Sequence, residues 1–260
     1  MIQPLAYIHP EAKIGANVVI EPFVTINKNV EIGDGTWIGS HVTIMEGARI
    51  GKNVKIFPGA CISGFPQSLK FNDVETFVYI GDNTVIRECV TISRGTTDKY
   101  KTVIGSNCML MAYSHLGHDC TVGDNVIIIN NVQIAGHCTV DDWAVIGGSS
   151  AIHQFTKIGA HTMVAGGSLI RKDIPPFIKA GREPMVYAGI NSIGLRRRGY
   201  SNQKIKEIQD IYRIIYLGGN NVSKALDRIE MECPPSDERD EITNFIRNSE
   251  RGIMKGFTRE

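Results

Sequence analysis

The chain has 260 residues, enough for one large domain or one large and one small. Its 42% apolar and 21% charged residues match a soluble globular protein, and a net charge of +1 excludes a global field that would recruit nucleic acid or an anionic membrane. No stretch is long and apolar enough to span a bilayer, which predicts no membrane insertion, and the opening MIQPLAYIHP has neither the basic start nor the apolar core of a signal peptide.

From Ile8 the chain repeats with a step of six. Ile8, Ile14, Ile20, Ile26, Ile32, Ile38, Ile44, Ile50, Ile56 and Ile62 are followed, after Ser68 and Val74, by Ile80, Ile86 and Ile92. Beyond Asp98 the run continues through Ile104, Leu110, Leu116, Val122, Ile128, Ile134, Val140, Ile146, Ile152, Ile158, Val164 and Ile170. Of 28 such positions 26 are Ile, Leu or Val, where ordinary usage would place those types at about a quarter. A period of six suits neither an amphipathic helix nor simple strand alternation. It suits a short strand, a corner, and the next short strand. Glycine and Asn or Asp follow many of the aliphatic residues, as in Gly81-Asp82-Asn83 and Gly123-Asp124-Asn125, and these types tolerate the left-handed backbone of a tight corner. The pattern predicts an all-β parallel β-helix built of hexapeptide repeats, triangular in section, with 18 residues per coil.

Two stretches lose the ladder, residues 64–76 at Ser68 and residues 95–101 at Asp98. Both read as loops leaving a rigid scaffold, where function concentrates. After Ile170 the repeat ends, and Pro175-Pro176 marks the exit. From about Ser201 the period becomes helical through Ile205, Ile208, Ile211, Tyr212 and Ile215, with Ser201 as N-cap and Gly218-Gly219 as the stop. A second helix is expected over Val222 to Met231. A third is expected after Pro234-Pro235-Ser236, carrying Ile242, Phe245 and Ile246. The predicted organisation is a β-helix over residues 1–186 and a small C-terminal α-helical subdomain over 187–260.

With coils about 4.8 Å apart, residues 18 apart stack. His118 then stacks on Gly136 and Gln154, and Asp119 on His137 and Phe155, with His115 and His153 on the same wall. A lone corner histidine ordinarily bonds backbone, but four on one edge point to a site. His118 is a candidate general base, Asp119 a candidate support for its imidazolium, and Gly136 a bare N–H for an oxyanion. A rival is a three-histidine zinc site of the gamma-carbonic-anhydrase kind, but no ligand set closes from the spacing, so no metal is expected. Another rival is an acetyl-CoA-dependent transferase on the same repeat. The six cysteines form no C-x-x-C pair and, without an export signal, read as reduced residues of a cytoplasmic protein.

The segments IRECVTISRGT, HLGHDCTVG, IAGHCTVDDWAVIGG, AIHQFTKIGAHTMVAGG, DIPPF and GLRRRGYS resemble the UDP-N-acetylglucosamine O-acyltransferase family over nearly the whole chain, helical tail included. The resemblance implies a left-handed coil, against the usual right-handed crossover. It implies transfer of a 3-hydroxyacyl group from acyl carrier protein to the glucosamine 3-hydroxyl of UDP-N-acetylglucosamine, the first step of lipid A biosynthesis. His118 would be the base, Asp119 its support and Gly136 the oxyanion donor, with no cofactor, no metal and no covalent acyl-enzyme. Lys70, His115, His137, His153 and Gln154 would line the sugar and acyl pocket. Asn191, Arg197 and Arg198 would hold the uridine diphosphate, and an arginine fork suits phosphate. Gly166, with Met163, would set acyl-chain length, the bare glycine predicting a long donor. The family implies a homotrimer with sites between subunits, and the local excess of Arg171, Lys172, Lys179 and Arg182 suits an acidic carrier protein. A related N-acyltransferase carries an extra N-terminal domain, for which hexads starting at Ile8 are expected to leave no room. Two positions depart from the family pattern: Ser68 and Ile193 stand where acidic residues are frequent.

Overall fold

A computed structural model of the chain describes residues 1–72, 74–218 and 221–256. Three sheets of mostly two-residue strands form the walls of a prism. Wall I has nine strands, from Tyr7–Ile8 to Leu169–Ile170, and wall II has eight, from Lys13–Ile14 to Lys157–Ile158. Wall III has ten, from Val19–Ile20 to Met163–Val164 and on to Ile178–Gly181 and Val186–Ile190. Among the described residues every strand pairing is parallel except the last, between Ile178–Gly181 and Val186–Ile190. The coil is a left-handed parallel β-helix with hexapeptide repeats, as predicted.

The six-residue period is the geometry of one wall and one corner. The aliphatic residue of each hexad points inward, and so does the residue two before it: Val18 and Ile20, Val24 and Ile26, and Val132 and Ile134 are all buried. Each such side chain contributes about 1.5–3 kcal/mol on burial. Three residues past the aliphatic one, the backbone takes a left-handed φ at most corners, as at Asn17, Asn53, Asn107 and Asn125. Asparagine is the cheapest non-glycine residue there. Between coils at the corner from wall II to wall III, aspartates tie successive turns: Asp34 Oδ1 accepts from the Ala16 N–H and Asp124 Oδ1 from the Ser106 N–H.

Pairing runs in steps of 18 residues, Ile26 on Ile44 and Leu116 on Ile134, except at two places. Ile62 pairs with Ile92 and Ile92 with Leu116, so the chain inserts twelve and then six extra residues. Both excursions leave the corner between wall I and wall II, one from strand Cys61–Gly64 to strand Phe77–Ile80, the other from Thr91–Ser93 to Lys101–Ile104. Val74 belongs to no strand and is only half-buried, so its place in the six-residue count is not a place in the ladder. An insertion whose length is a multiple of six preserves the frame of the count while leaving the prism.

The coil also continues past Ile170, correcting the predicted end of the repeat. Ile174 bridges to Ile158, and Ala180 pairs with Val164. Strand Val186–Ile190 then runs across the expected division at 186/187 and leads into four helices. Helix α1 (Ser192–Arg197) was not anticipated; at six residues it is too short for a periodic signal. Helix α2 (Asn202–Leu217) is capped by Ser201, whose side chain accepts from the Lys204 N–H, and ends at Gly218; Gly219 lies outside the described residues. Helices α3 (Val222–Glu232) and α4 (Asp237–Arg247) follow, the latter capped by Ser236. The helices close the lower end of the prism: the buried Tyr212 hydroxyl donates to the Pro176 carbonyl at 2.6 Å. The tail returns to the prism, where the Ser249 hydroxyl donates to Asp173 at 2.6 Å. All six cysteines are free. Among the described residues no helix is long and apolar enough to cross a membrane.

Candidate active site

The corner between walls I and II gathers the histidines that the sequence singled out. Strand His115–Leu116 turns Leu116 into the core and His115 outward, where its Nδ1 lies 2.8 Å from the Thr91 hydroxyl. Burial, and then the neighbouring His118, hold the His115 imidazole below the usual histidine range. Two residues on, His118 lies with its ring over Gly136. A β-carbon at Gly136 would sit 2.8–2.9 Å from His118 Cε1 and Nε2, so a side chain at 136 must displace the imidazole. The Gly136 N–H takes no part in the coil-to-coil backbone ladder among the described residues.

Asp119 follows in the left-handed corner conformation at φ 59° and is fully buried. Its Oδ2 lies 2.8 Å from His118 Nδ1, so neighbours in sequence converge rather than diverge. The second excursion folds back to serve the same carboxylate. The Thr96 N–H donates to Oδ1 at 2.9 Å and the Thr96 hydroxyl to Oδ2 at 2.6 Å, while the Lys99 N–H donates to Oδ1 at 3.2 Å. Burial opposes the negative charge, but the bonds from Thr96, His118 and Lys99 outweigh it and hold the carboxyl below the usual range. An ionised Asp119 fixes the proton on His118 Nδ1 and leaves Nε2 with a lone pair.

His115, His118, Gly136 and Gln154 line one cavity of about 440 Å³ with Gln67 and Ser93, two residues that sequence reasoning missed. Gln67 comes from the first excursion, so both loops reach the same site. His137 sits directly behind: its ring meets His118 edge-on at 4.9 Å and stacks on Phe155 at 4.5 Å. His153 is on the same edge but is exposed and does not line the cavity; its Nδ1 lies 3.1 Å from the Gln154 carbonyl. Three of the four expected histidines therefore converge. A larger cavity, of about 550 Å³, lies between Lys13, Lys28, Glu31 and Glu46, but these charges pair with one another and no histidine lines it. The smaller cavity is the one lined by titratable ring nitrogens.

The fold also closes a donor set that spacing did not show. One ligand-type atom from each of His118, Asp119 and His137 lie within 4.8 Å of one another. Both Asp119 oxygens already accept hydrogen bonds from Thr96, with Lys99 and His118 adding two more, so a metal there would have to break this network. The arrangement fits a base–orienter pair better than a metal centre.

The remaining predicted residues lie elsewhere. Lys70 is exposed on the first excursion. Asn191 is the N-cap of α1, its amide accepting from the Gly194 N–H and donating to the His161 carbonyl at 2.9 Å. Arg197 is exposed, whereas Arg198 lies over the Trp143 ring at 5.2 Å and donates to the Trp143 carbonyl at 3.0 Å. Met163 is on wall III and Gly166 at the corner from wall III to wall I. As expected Gly166 stacks on Gly148, a β-carbon there meeting the Gly148 carbonyl oxygen at 3.1 Å.

Known proteins share this fold over nearly the whole chain. A curated acyl-[acyl-carrier-protein]–UDP-N-acetylglucosamine O-acyltransferase of Thiobacillus denitrificans is 40% identical over 255 residues, covering 98% of this chain and 99% of the relative. The chain belongs to the UDP-N-acetylglucosamine O-acyltransferase family. The solved LpxA of Bacteroides fragilis, a UDP-N-acetylglucosamine acyltransferase, superposes with a TM-score of 0.96 at 52% identity, covering 98% of this chain and all of that one. LpxA of Acinetobacter baumannii superposes at 0.95 with 40% identity over 98% and 99%. The family profile described as UDP N-acetylglucosamine O-acyltransferase, domain 2, matches residues 173–254 of this O-acyltransferase family member, which includes all four helices. A bacterial transferase hexapeptide profile matches 101–136, and one for the GMPPB C-terminal domain matches 2–103. The hexapeptide match thus ends at Gly136, with His118 and Asp119 inside it.

Proposed function

We propose that this chain transfers a long-chain 3-hydroxyacyl group from acyl carrier protein to the glucosamine 3-hydroxyl of UDP-N-acetylglucosamine, the first step of lipid A biosynthesis. The observation that carries the reading is His118, held at Nδ1 by a buried, ionised Asp119 and laid over a side-chain-free Gly136 beside a cavity. Nε2 takes the proton of the 3-hydroxyl as its oxygen attacks the thioester carbonyl carbon. The oxyanion so formed accepts a hydrogen bond from the Gly136 N–H. Collapse breaks the C–S bond, and the carrier sulfur leaves with the proton returned by His118. The step needs no cofactor, no metal and no acyl-enzyme.

His115, His137, His153, Gln154 and Lys70 serve the sugar and acyl groups. Asn191, Arg197 and Arg198, at the two ends of α1, serve the diphosphate, for which the guanidinium fork is suited. Residues 1–186 act as the catalytic prism and 187–260 as the helical unit that brings these arginines. The assembly is a homotrimer with each site between two subunits, working in the cytoplasm. Met163 and the bare Gly166 leave the acyl groove open for a long chain.

The test is to mix the protein with UDP-N-acetylglucosamine and 3-hydroxyacyl carrier proteins of graded length and to follow acylated sugar nucleotide by mass spectrometry. Long donors should react best. Gly166→Met should shift the preference to shorter donors by about tenfold or more. Absence of transfer to any sugar nucleotide would defeat the reading; an unchanged length profile in Gly166→Met would remove Gly166 as the ruler.

A further inference from the structure

We infer that Asp98 is a positioning residue of the transfer site, acting through His137. The inference rests on His118 and Asp119 being the reacting pair. Asp98 lies in the six-residue excursion, the same segment that supplies Thr96 and Lys99 to Asp119. Its backbone N–H bonds the Thr96 hydroxyl at 3.3 Å, so it is held by the same turn. Its Oδ2 reaches 3.0 Å from His137 Nδ1.

That nitrogen is buried and makes no hydrogen bond of good geometry among the described residues, so the Asp98 carboxylate is its electrostatic partner at ion-pair distance. His137 is otherwise constrained in only some of its freedoms. Its backbone N–H is bonded to the His118 carbonyl at 2.9 Å, and Phe155 holds the ring plane by stacking at 4.5 Å and 11°. Stacking does not distinguish the two faces of an imidazole. A half-turn about the Cβ–Cγ bond would exchange Nδ1 with Cδ2 and Nε2 with Cε1 at no cost to the stacking on Phe155. Asp98 breaks that symmetry. A carboxylate on one side selects the orientation with a protonated Nδ1 toward it, which sets Nε2 3.9 Å from Asp119 Oδ2 and the ring edge-on to His118. The excursion thereby grips two successive members of one corner column, Asp119 through Thr96 and Lys99, and His137 through Asp98.

Asp98 is 61% exposed, so solvent screens the contact and its effect on rate is small. Asp98→Ala should lower kcat roughly two- to fivefold, as expected for a partly exposed ion pair, with KM little changed. Asp98→Glu should restore it. In a His137→Asn background Asp98→Ala should have no further effect, because a residue acting only through His137 is silent without it. Two-bond proton–nitrogen correlation spectra of the imidazoles should show His137 Nδ1 bearing the proton in the parent and losing that signature in Asp98→Ala. Additive losses in the double variant, or an Nδ1 signature unchanged by Asp98→Ala, would overturn the inference. If the parent transfers no acyl group, the proposed function fails, while the nitrogen spectra still decide whether Asp98 fixes His137.

Discussion

His137 and His161 occupy the same kind of position in two different columns of corners. Both lie three residues past an inward aliphatic, at φ 64° and 57°, and both stack on a phenylalanine, Phe155 at 4.5 Å and Phe177 at 5.5 Å. Their surroundings have opposite sign. His137 faces Asp98 and Asp119 at the corner where both excursions return. His161 is held in an aromatic nest with Trp143 and Tyr200, beside Arg198, and burial followed by that guanidinium pushes its imidazole down to about 4. Backbone state and stacking are common property of the fold. The charges brought by inserted loops at one corner, and by the helical unit at the other, set the two imidazoles apart. Most of the His161 column is Asn or Gly, as at Asn17, Gly35, Asn53 and Asn125, which a corner prefers. A column holding Asp119, His137 and Phe155 in the same conformation departs from that preference, as functional sites do.

The sharpest test of the contrast is to remove His118, the imidazole that the His137 ring meets edge-on and that Asp119 holds. His118→Ala should lower kcat/KM about a hundred- to ten-thousandfold in the acyl-transfer assay, the range for loss of a general base. Full activity in that variant would break the comparison. Gly136→Ala should follow, because its β-carbon would fall within 2.9 Å of the His118 ring. The ring is the free end of a side chain and can swing aside, so stability should hold while kcat falls by about a hundredfold from misplacement alone. As a control from the other column, Asn125→Ala should cost about 1–2 kcal/mol in denaturant unfolding through its left-handed φ and leave turnover unchanged.

The walls and the outline of the site are legible in the sequence because both depend on one number, the six-residue step that stacks His118 on Gly136 and Asp119 on His137. The count fails where it is insensitive. Insertions of twelve and six residues leave it in frame, so Val74 reads as core, and nothing in the count shows that both loops leave the corner that holds His118. Adding eighteen from Ile62 reaches Ile80, Asp98 and then Leu116, so the two insertions together restore the count and hide that Ile92 is the residue paired between Ile62 and Leu116. The contacts of Thr96, Asp98 and Lys99 on the site have no signal in the count either, because irregular loops carry no period. Helix α1 is too short to show one. The family resemblance, carried by GLRRRGYS among other segments, marks the arginines of α1 as functional; only the coordinates set Arg198 against Trp143 and the Asn191 amide on the His161 carbonyl.

The smallest expected effect concerns His161 and separates the two histidines by stability instead of rate. Its folded value of about 4 lies below the ordinary 6.5, so between those values the unfolded chain binds more protons than the fold. The contribution of His161 is therefore complete above about pH 6.5, declines as pH falls through this window, and levels off below about 4. Asp141 and Glu241, raised to about 6 and about 7 by burial and then by neighbouring carboxylates, slope the opposite way, since acidification favours their neutral folded forms. The whole-protein profile mixes these trends, so the informative quantity is the difference between the parent and His161→Gln, which cannot titrate. Relative to the variant, the parent should lose melting temperature steadily from pH 6.5 to 4, while kcat at saturating sugar nucleotide stays within about twofold because His161 lies outside the reacting cavity, any change falling on KM through the neighbouring Arg198. A flat difference profile would mean that the aromatic nest and Arg198 do not exclude the proton, and the contrast between the two corners would lose its electrostatic basis.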